Sequence, residues 1–208
     1  LKETHEKTMQ EIRFHGRGGQ GTVVASFLLA KAFFKAGFYV QSFPLFGVER
    51  RGAPVEAYLR LDRQKILVRS NVYTPDVVVV QDASLLSRVD IVRGLKSGGW
   101  LVLNSGQPPA DAAGYAGFRL AWVDATGIAL AHDLGTRTHP MVNTAMIGAF
   151  ARILESPPLK LILEVIKQEI SVKPVQNMRA ARQAYDCVQR LGLALTGLPE
   201  ETHHAADQ

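Results

Sequence analysis

The chain has 208 residues, 47% of them hydrophobic and 21% charged, with a net charge of +5, which suits one sizeable α/β domain around a single core. No apolar run approaches the ~18 residues of a membrane span, and the basic residues are spread along the chain rather than striped with aromatics, which argues against a nucleic-acid surface. Its one cysteine, Cys187, excludes an internal disulfide and cannot hold an iron–sulfur cluster, which takes about four thiolates; it reads as a half-buried packing residue, and a cytoplasmic location follows by elimination.

Leu1 to Gln10 is polar and of mixed charge, unlike a secretory signal, and Met9 is a candidate start just ahead of the first strand. A strand is expected over Glu11–His15, a helix from about Gln20 to Ala36 and a second strand over Tyr39–Phe43. After the loop Pro44–Gly52, the alternation V-E-A-Y-L-R-L marks an antiparallel strand over Val55–Leu61. Asp62–Lys65 should turn it into a partner strand at Ile66–Arg69, a hairpin that interrupts an otherwise parallel series. The four valines Val77–Val80 must be buried on both faces and belong at the sheet centre. Trp100–Leu103 is a further buried strand, and Arg119–Val123 is the last expected one. Helical patterns follow at Thr126–His132, Met141–Leu154, Leu159–Gln168 and Gln176–Leu195. The expected fold is α/β, with a mixed, mostly parallel sheet flanked by helices, Rossmann-like with an antiparallel hairpin insertion. One domain over residues 9–196 is expected, with flexible tails at residues 1–8 and 197–208.

The run H-G-R-G-G-Q-G, His15 to Gly21, sits between the first strand and the first helix and contains G-x-G-x-x-G at Gly16, Gly18 and Gly21. A glycine-rich turn of this kind brings backbone N–H groups to an anion at a helix N-terminus. A dinucleotide site also needs an acidic residue at the end of the second strand for the ribose hydroxyls. Here that strand ends Gln41-Ser42-Phe43, and no Asp or Glu occurs between Glu11 and Glu49. An independent NAD(P)-binding oxidoreductase is therefore the weaker alternative. The stronger expectation is a tight turn that aims Arg17 and Gln20 at a partner surface or an anionic group.

The second motif is F-G-V-E-R-R-G-A-P, Phe46 to Pro54, where Glu49, Arg50 and Arg51 lie between Gly47 and Gly52. It follows the second strand, so it should lie at the carboxyl edge of the sheet near the glycine turn, the edge that ligands favour. Two adjacent guanidiniums suit a diphosphate or a carboxylate. They suit a subunit interface equally well, since interfaces also enrich arginine. Phe43, Leu45, Phe46 and Val48 add an apolar rim that a monomer would leave exposed.

No G-x-S-x-G elbow, H-E-x-x-H helix, Walker loop or C-x-x-C pair occurs, and the six histidines do not fall at metal-ligand spacings. His15 and His139 read as structural hydrogen-bonding residues and His203-His204 as a solvated pair. Asp76 and Asp82 flank the valine strand at capping positions, and Asn143 and Thr144 should cap or pack a helix. The chain therefore offers no catalytic set and no metal site of its own.

Four blocks together resemble the gamma subunit of thiamine-diphosphate-dependent 2-oxoacid:ferredoxin (acceptor) oxidoreductases, the pyruvate:ferredoxin oxidoreductase family. They are Arg13–Gly21, Ser42–Pro54, Y-T-P-D-V-V-V-V-Q-D at Tyr73–Asp82 and N-T-A-M-I-G-A-F at Asn143–Phe150. The resemblance runs from Ile12 to about Leu191. It implies a non-autonomous subunit that assembles with alpha, beta and delta-type chains and passes electrons to ferredoxin or another acceptor. Thiamine diphosphate, Mg²⁺ and iron–sulfur clusters would be held by the partner chains, and coenzyme A would be the co-substrate. By the same resemblance Gly16, Arg17, Gly18, Gly19, Gln20 and Gly21, with Glu49, Arg50, Arg51 and Gly52, would face the alpha chain and the coenzyme. Arg50 and Arg51 are the first candidates for its phosphates. The E-R-R-G-A-P form looks like the pyruvate or branched-chain branch of the family.

Overall fold

A computed structural model describes residues 9–45 and 52–191. The strands are β1 (Gln10–Arg17), β2 (Tyr39–Leu45), β3 (Pro54–Asp62), β4 (Val77–Val80), β5 (Trp100–Asn104), β6 (Arg119–Val123), β7 (Gly135–Thr136), β8 (His139–Pro140) and β9 (Gln189–Leu191). The helices are α1 (Thr22–Lys35), α2 (Ala125–Ala131), α3 (Asn143–Leu154), α4 (Leu159–Glu169) and α5 (Pro174–Cys187). Seven strands form one sheet in the order β2-β3-β1-β4-β5-β6-β9, and β7 and β8 pair separately. β1, β4, β5 and β6 are mutually parallel, while β3 lies antiparallel between β1 and β2, and β9 runs antiparallel to β6. The mixed, mostly parallel α/β sheet is the one expected.

β4 shows most directly why sequence dictates place. Val77 and Val79 join the large core beneath the helices, Val78 and Val80 join a smaller cluster on the opposite face, and all four are buried. Residues of all five helices contribute to the first cluster and none to the second. The crossovers β4–β5 and β5–β6 are rich in Gly, Pro, Ser and Asp, so they fold as turns and short 3-10 segments at Ala83–Leu85 and Ala112–Tyr115 instead of covering helices. Leu85, Ile91 and Leu95 then cover the second face. Within N-T-A-M-I-G-A-F, Gly148 admits the close crossing of α3 and α5: a Cβ there would stand 2.0 Å from the Ala181 carbonyl oxygen.

Three expectations are corrected. The antiparallel partners of β3 are β1 and β2, not Ile66–Arg69, which forms no strand; Leu67 and Val68 are exposed, with Gln41 donating to the Ile66 carbonyl and Arg60 to that of the nearby Asn71. The last helix stops at Cys187, because Val188 takes up extended backbone (φ −59°, ψ 131°) and leads into β9, a strand with no counterpart in the sequence reading. Cys187 itself is exposed rather than half-buried. The tails at 1–8 and 197–208, and most of the charged loop, lie outside the described residues.

Candidate functional site at the carboxyl edge of the sheet

The parallel strands β1 and β4 end side by side, and the chain leaves them in opposite directions: β1 through α1 to β2, β4 onward to β5. That is a topological switch point, where open α/β sheets bind ligands. The glycine turn, the residues after β4 and the end of the charged loop meet there.

Gly21 is the N-cap of α1 in the left-handed region (φ 77°), a conformation that favours glycine. It supplies no capping side chain, and no acidic residue lies in the first turn, so the amides of that turn retain their positive end for an incoming anion. Asn143, at the start of α3, packs directly on Gly21: a Cβ at Gly21 would lie 2.6 Å from its Nδ2. The Asn143 carboxamide also accepts from the Thr144 amide, while the Thr144 hydroxyl donates to Asn177 on α5, so of the two expected roles packing is the one present; Val142 is the N-cap of α3, and no side chain caps that helix.

Gly16 is a packing glycine. A Cβ there would sit 2.1 Å from the Thr22 hydroxyl, which donates to the fully buried Gln81 at 2.8 Å. The turn's own polar groups are largely occupied. The Arg17 amide donates to the Gln20 side-chain oxygen (2.8 Å), the Gly18 amide to the Ala53 carbonyl (2.9 Å) and the Gln20 amide to the Arg17 carbonyl (3.0 Å). The Gly52 amide returns a bond to the Gly18 carbonyl (3.1 Å). With three turn amides engaged by the chain and the space over Gly16 filled by Thr22, a dinucleotide pyrophosphate has no cradle in this loop.

Arg17 and Gln20 do not point outward as the sequence suggested. The Arg17 guanidinium donates to Asp82 (2.9 Å), the Gly52 carbonyl (3.0 Å) and the Ser84 hydroxyl (2.8 Å), and the Gln20 amide donates to Asp82 (3.2 Å). Asp82 also accepts from the Ser84 amide and hydroxyl, so its expected capping role is present beside a second one. Burial raises the Asp82 pKa, but the Ser84 hydrogen bonds, the Arg17 charge and the Gln20 donor outweigh it and hold the carboxyl below its ordinary range. Sequence reasoning did not single out Gln81, Ser84 or this second role of Asp82. Their one signal is position: they directly follow a central parallel strand.

Of the predicted site, the glycine turn and Gly52 are brought together, while Glu49, Arg50 and Arg51 lie outside the described residues. Among the described residues, no group of three or more His, Cys, Asp and Glu side chains is placed to hold a metal ion. A groove of about 440 Å³ beside β2, lined by Gln41, Phe43, Arg60 and Arg69 among others, takes no residue from the turn.

The family model of pyruvate ferredoxin/flavodoxin oxidoreductase matches residues 11–187. The chain is 49% identical to the pyruvate synthase subunit PorC of Methanocaldococcus jannaschii, over 86% of this chain and 96% of that one. It is 48% identical to the pyruvate/ketoisovalerate oxidoreductases common subunit gamma of Thermococcus kodakarensis, over the same shares. The crystal structure of the pyruvate oxidoreductase subunit PORC of Thermotoga maritima superposes with a TM-score of 0.75 at 39% identity, covering 88% of this chain and 99% of that one.

Proposed function

The chain belongs to the pyruvate ferredoxin/flavodoxin oxidoreductase family as a gamma-type subunit, and from that premise we propose that it serves a thiamine-diphosphate-dependent 2-oxoacid:acceptor oxidoreductase. The complex oxidatively decarboxylates pyruvate or a similar 2-oxoacid with coenzyme A to acyl-CoA and CO2, and its electrons pass to ferredoxin or another acceptor. The observation that carries this proposal is the 49% identity to a pyruvate synthase subunit across 96% of that subunit.

In this proposal the chain works with alpha, beta and delta-type subunits, as a cytoplasmic enzyme without nucleic acid or membrane partners. Among the described residues no helix is long and apolar enough to cross a membrane. Among the described residues no group of side chains suits a resident metal, and a single cysteine does not ligate a cluster; the proposal assigns thiamine diphosphate, Mg²⁺ and the iron–sulfur clusters to the partner chains. Coenzyme A fits better. The first turn of α1, with no capping side chain and no acid, suits one of its phosphates, and Gly16–Gly21, Gly52 and, by the family resemblance, Glu49, Arg50 and Arg51 are assigned to its reception. Arg50 and Arg51 supply the guanidiniums.

The test is to isolate the chain anoxically with its partner subunits and to assay 2-oxoacid-dependent viologen reduction while varying coenzyme A. Activity with pyruvate is expected, and replacing Arg50 and Arg51 by alanine should raise the KM for coenzyme A about tenfold or more, the scale of one lost charge-assisted contact. An unchanged KM in an intact complex would make the two arginines interface residues. A colourless, partnerless chain that binds NADH would overturn the proposal.

A further inference from the structure

Three segments far apart in sequence are joined through one ion pair, Arg17 with Asp82. Asp82 stands two residues beyond β4, and its Oδ2 accepts from Arg17 Nε (2.9 Å) and Gln20 Nε2 (3.2 Å). Its Oδ1 accepts from the amide (2.9 Å) and hydroxyl (2.6 Å) of Ser84. Arg17 then carries the connection to the end of the charged loop, because a second guanidinium nitrogen donates to the Gly52 carbonyl and the third to Ser84. The Gly18–Ala53 and Gly52–Gly18 backbone bonds close the same link. Each nitrogen of the Arg17 guanidinium has a partner within the chain, so this cation is engaged before any ligand arrives.

We infer that Asp82 is the positioning residue of the coenzyme edge: through Arg17 and Gln20 it fixes the glycine turn against Gly52 and Ala53, and so sets where the first turn of α1 presents its amides. This inference rests on the assignment of that edge to coenzyme A. Asp82 itself touches no coenzyme. Its charge is needed because Arg17 is only about a quarter exposed (23%) and Asp82 less so (19%), where a guanidinium without its counter-ion would re-orient toward water and release both Gly52 and Ser84. A displacement of about 1 Å at a binding edge is enough to cost up to ~100-fold in a reaction it serves.

The experiment uses the assembled complex carrying Asp82→Ala, Asp82→Asn, Arg17→Ala or the double replacement Asp82→Ala/Arg17→Ala. Asp82→Ala should raise the KM for coenzyme A roughly 10-fold with kcat and the KM for the 2-oxoacid little changed, a split that a general loss of structure does not produce. Asp82→Asn keeps the shape and the Ser84 bonds, so it should raise the KM less, and it remains informative if the alanine variant does not assemble. The double variant should be no worse than Arg17→Ala alone, since the two residues act as one unit. A lower KM in Asp82→Asn would mean that Asp82 merely repels phosphate and would overturn the inference, as would additive effects in the double variant. Hydrogen exchange at the Gly18 and Gly52 amides supplies the independent arm. Unchanged protection in Asp82→Ala overturns the positioning role itself. Lost protection with an unmoved KM for coenzyme A overturns the coenzyme assignment on which the inference rests.

Discussion

The two faces of β1 are buried to the same extent by opposite means. On one, Ile12 and Phe14 pack without exposure into the core beneath the helices. On the other, Glu11, Arg13 and His15 stand opposite Arg60, Tyr58 and Glu56 of β3, and only Glu56 keeps appreciable contact with solvent. Arg60 donates to Glu11 at 2.9 Å, Arg13 donates to the Ile91 and Arg93 carbonyls, and the Tyr58 hydroxyl donates to Glu56. An apolar face tolerates small changes of shape, whereas a buried ionic face is stable only while every partner is present. The glycine turn grows out of the strand where these two regimes meet.

The sharpest way to break the comparison is Glu11→Ala, which leaves the buried Arg60 guanidinium without its counter-ion. We expect a loss of about 3–5 kcal/mol in urea unfolding of the full chain, and the double replacement Glu11→Ala/Arg60→Met should recover most of it. A double variant as unstable as the single one would show that packing, not charge, carries that face.

Next comes pH. Burial lowers the His15 pKa to about 4, with Glu56 opposing the drop and Arg13 adding to it. The unfolded imidazole takes up its proton near 6.5, so the contribution is fully present above that pH and is lost as pH falls from about 6.5 to about 4. The stability that the lowered Asp82 carboxyl contributes is present throughout this window and is lost only at more acid pH, below the ordinary carboxylate range. Over the His15 window we expect a fall of about 3 kcal/mol, at roughly 1.4 kcal/mol per unit, and His15→Leu should flatten it. A slope unchanged by that substitution would remove His15 from the account. The smallest effect belongs to the apolar face: Ile12→Val should cost about 1 kcal/mol, independent of pH.

These same faces explain what the sequence could and could not reveal. The valines of β4 were legible because a run of four can be satisfied only between two buried layers. In E-I-R-F-H-G-R the alternation showed which residues share a face, but not that the charged face is covered. Its covering carbonyls, at Asn71, Ile91 and Arg93, arrive from turns with no pattern of their own. Ile66–Arg69 has strand composition but cannot pair with β3, since β1 and β2 already occupy both of its edges. At the site, the glycine turn was evident from its spacing. The inward fold of Arg17 was not, because its counter-ion lies 65 residues away.

That separation has a consequence in time. β1 precedes both β3 and β4 in the chain yet lies between them in the sheet, and the Glu11 amide meets Asp76 only across 65 residues. At roughly 5–20 residues added per second, the strand waits for seconds during synthesis with an edge open and Ile12 and Phe14 uncovered. Until Val80 has left the ribosome, the β1 edge that β4 will cover stays open to pairing with other chains.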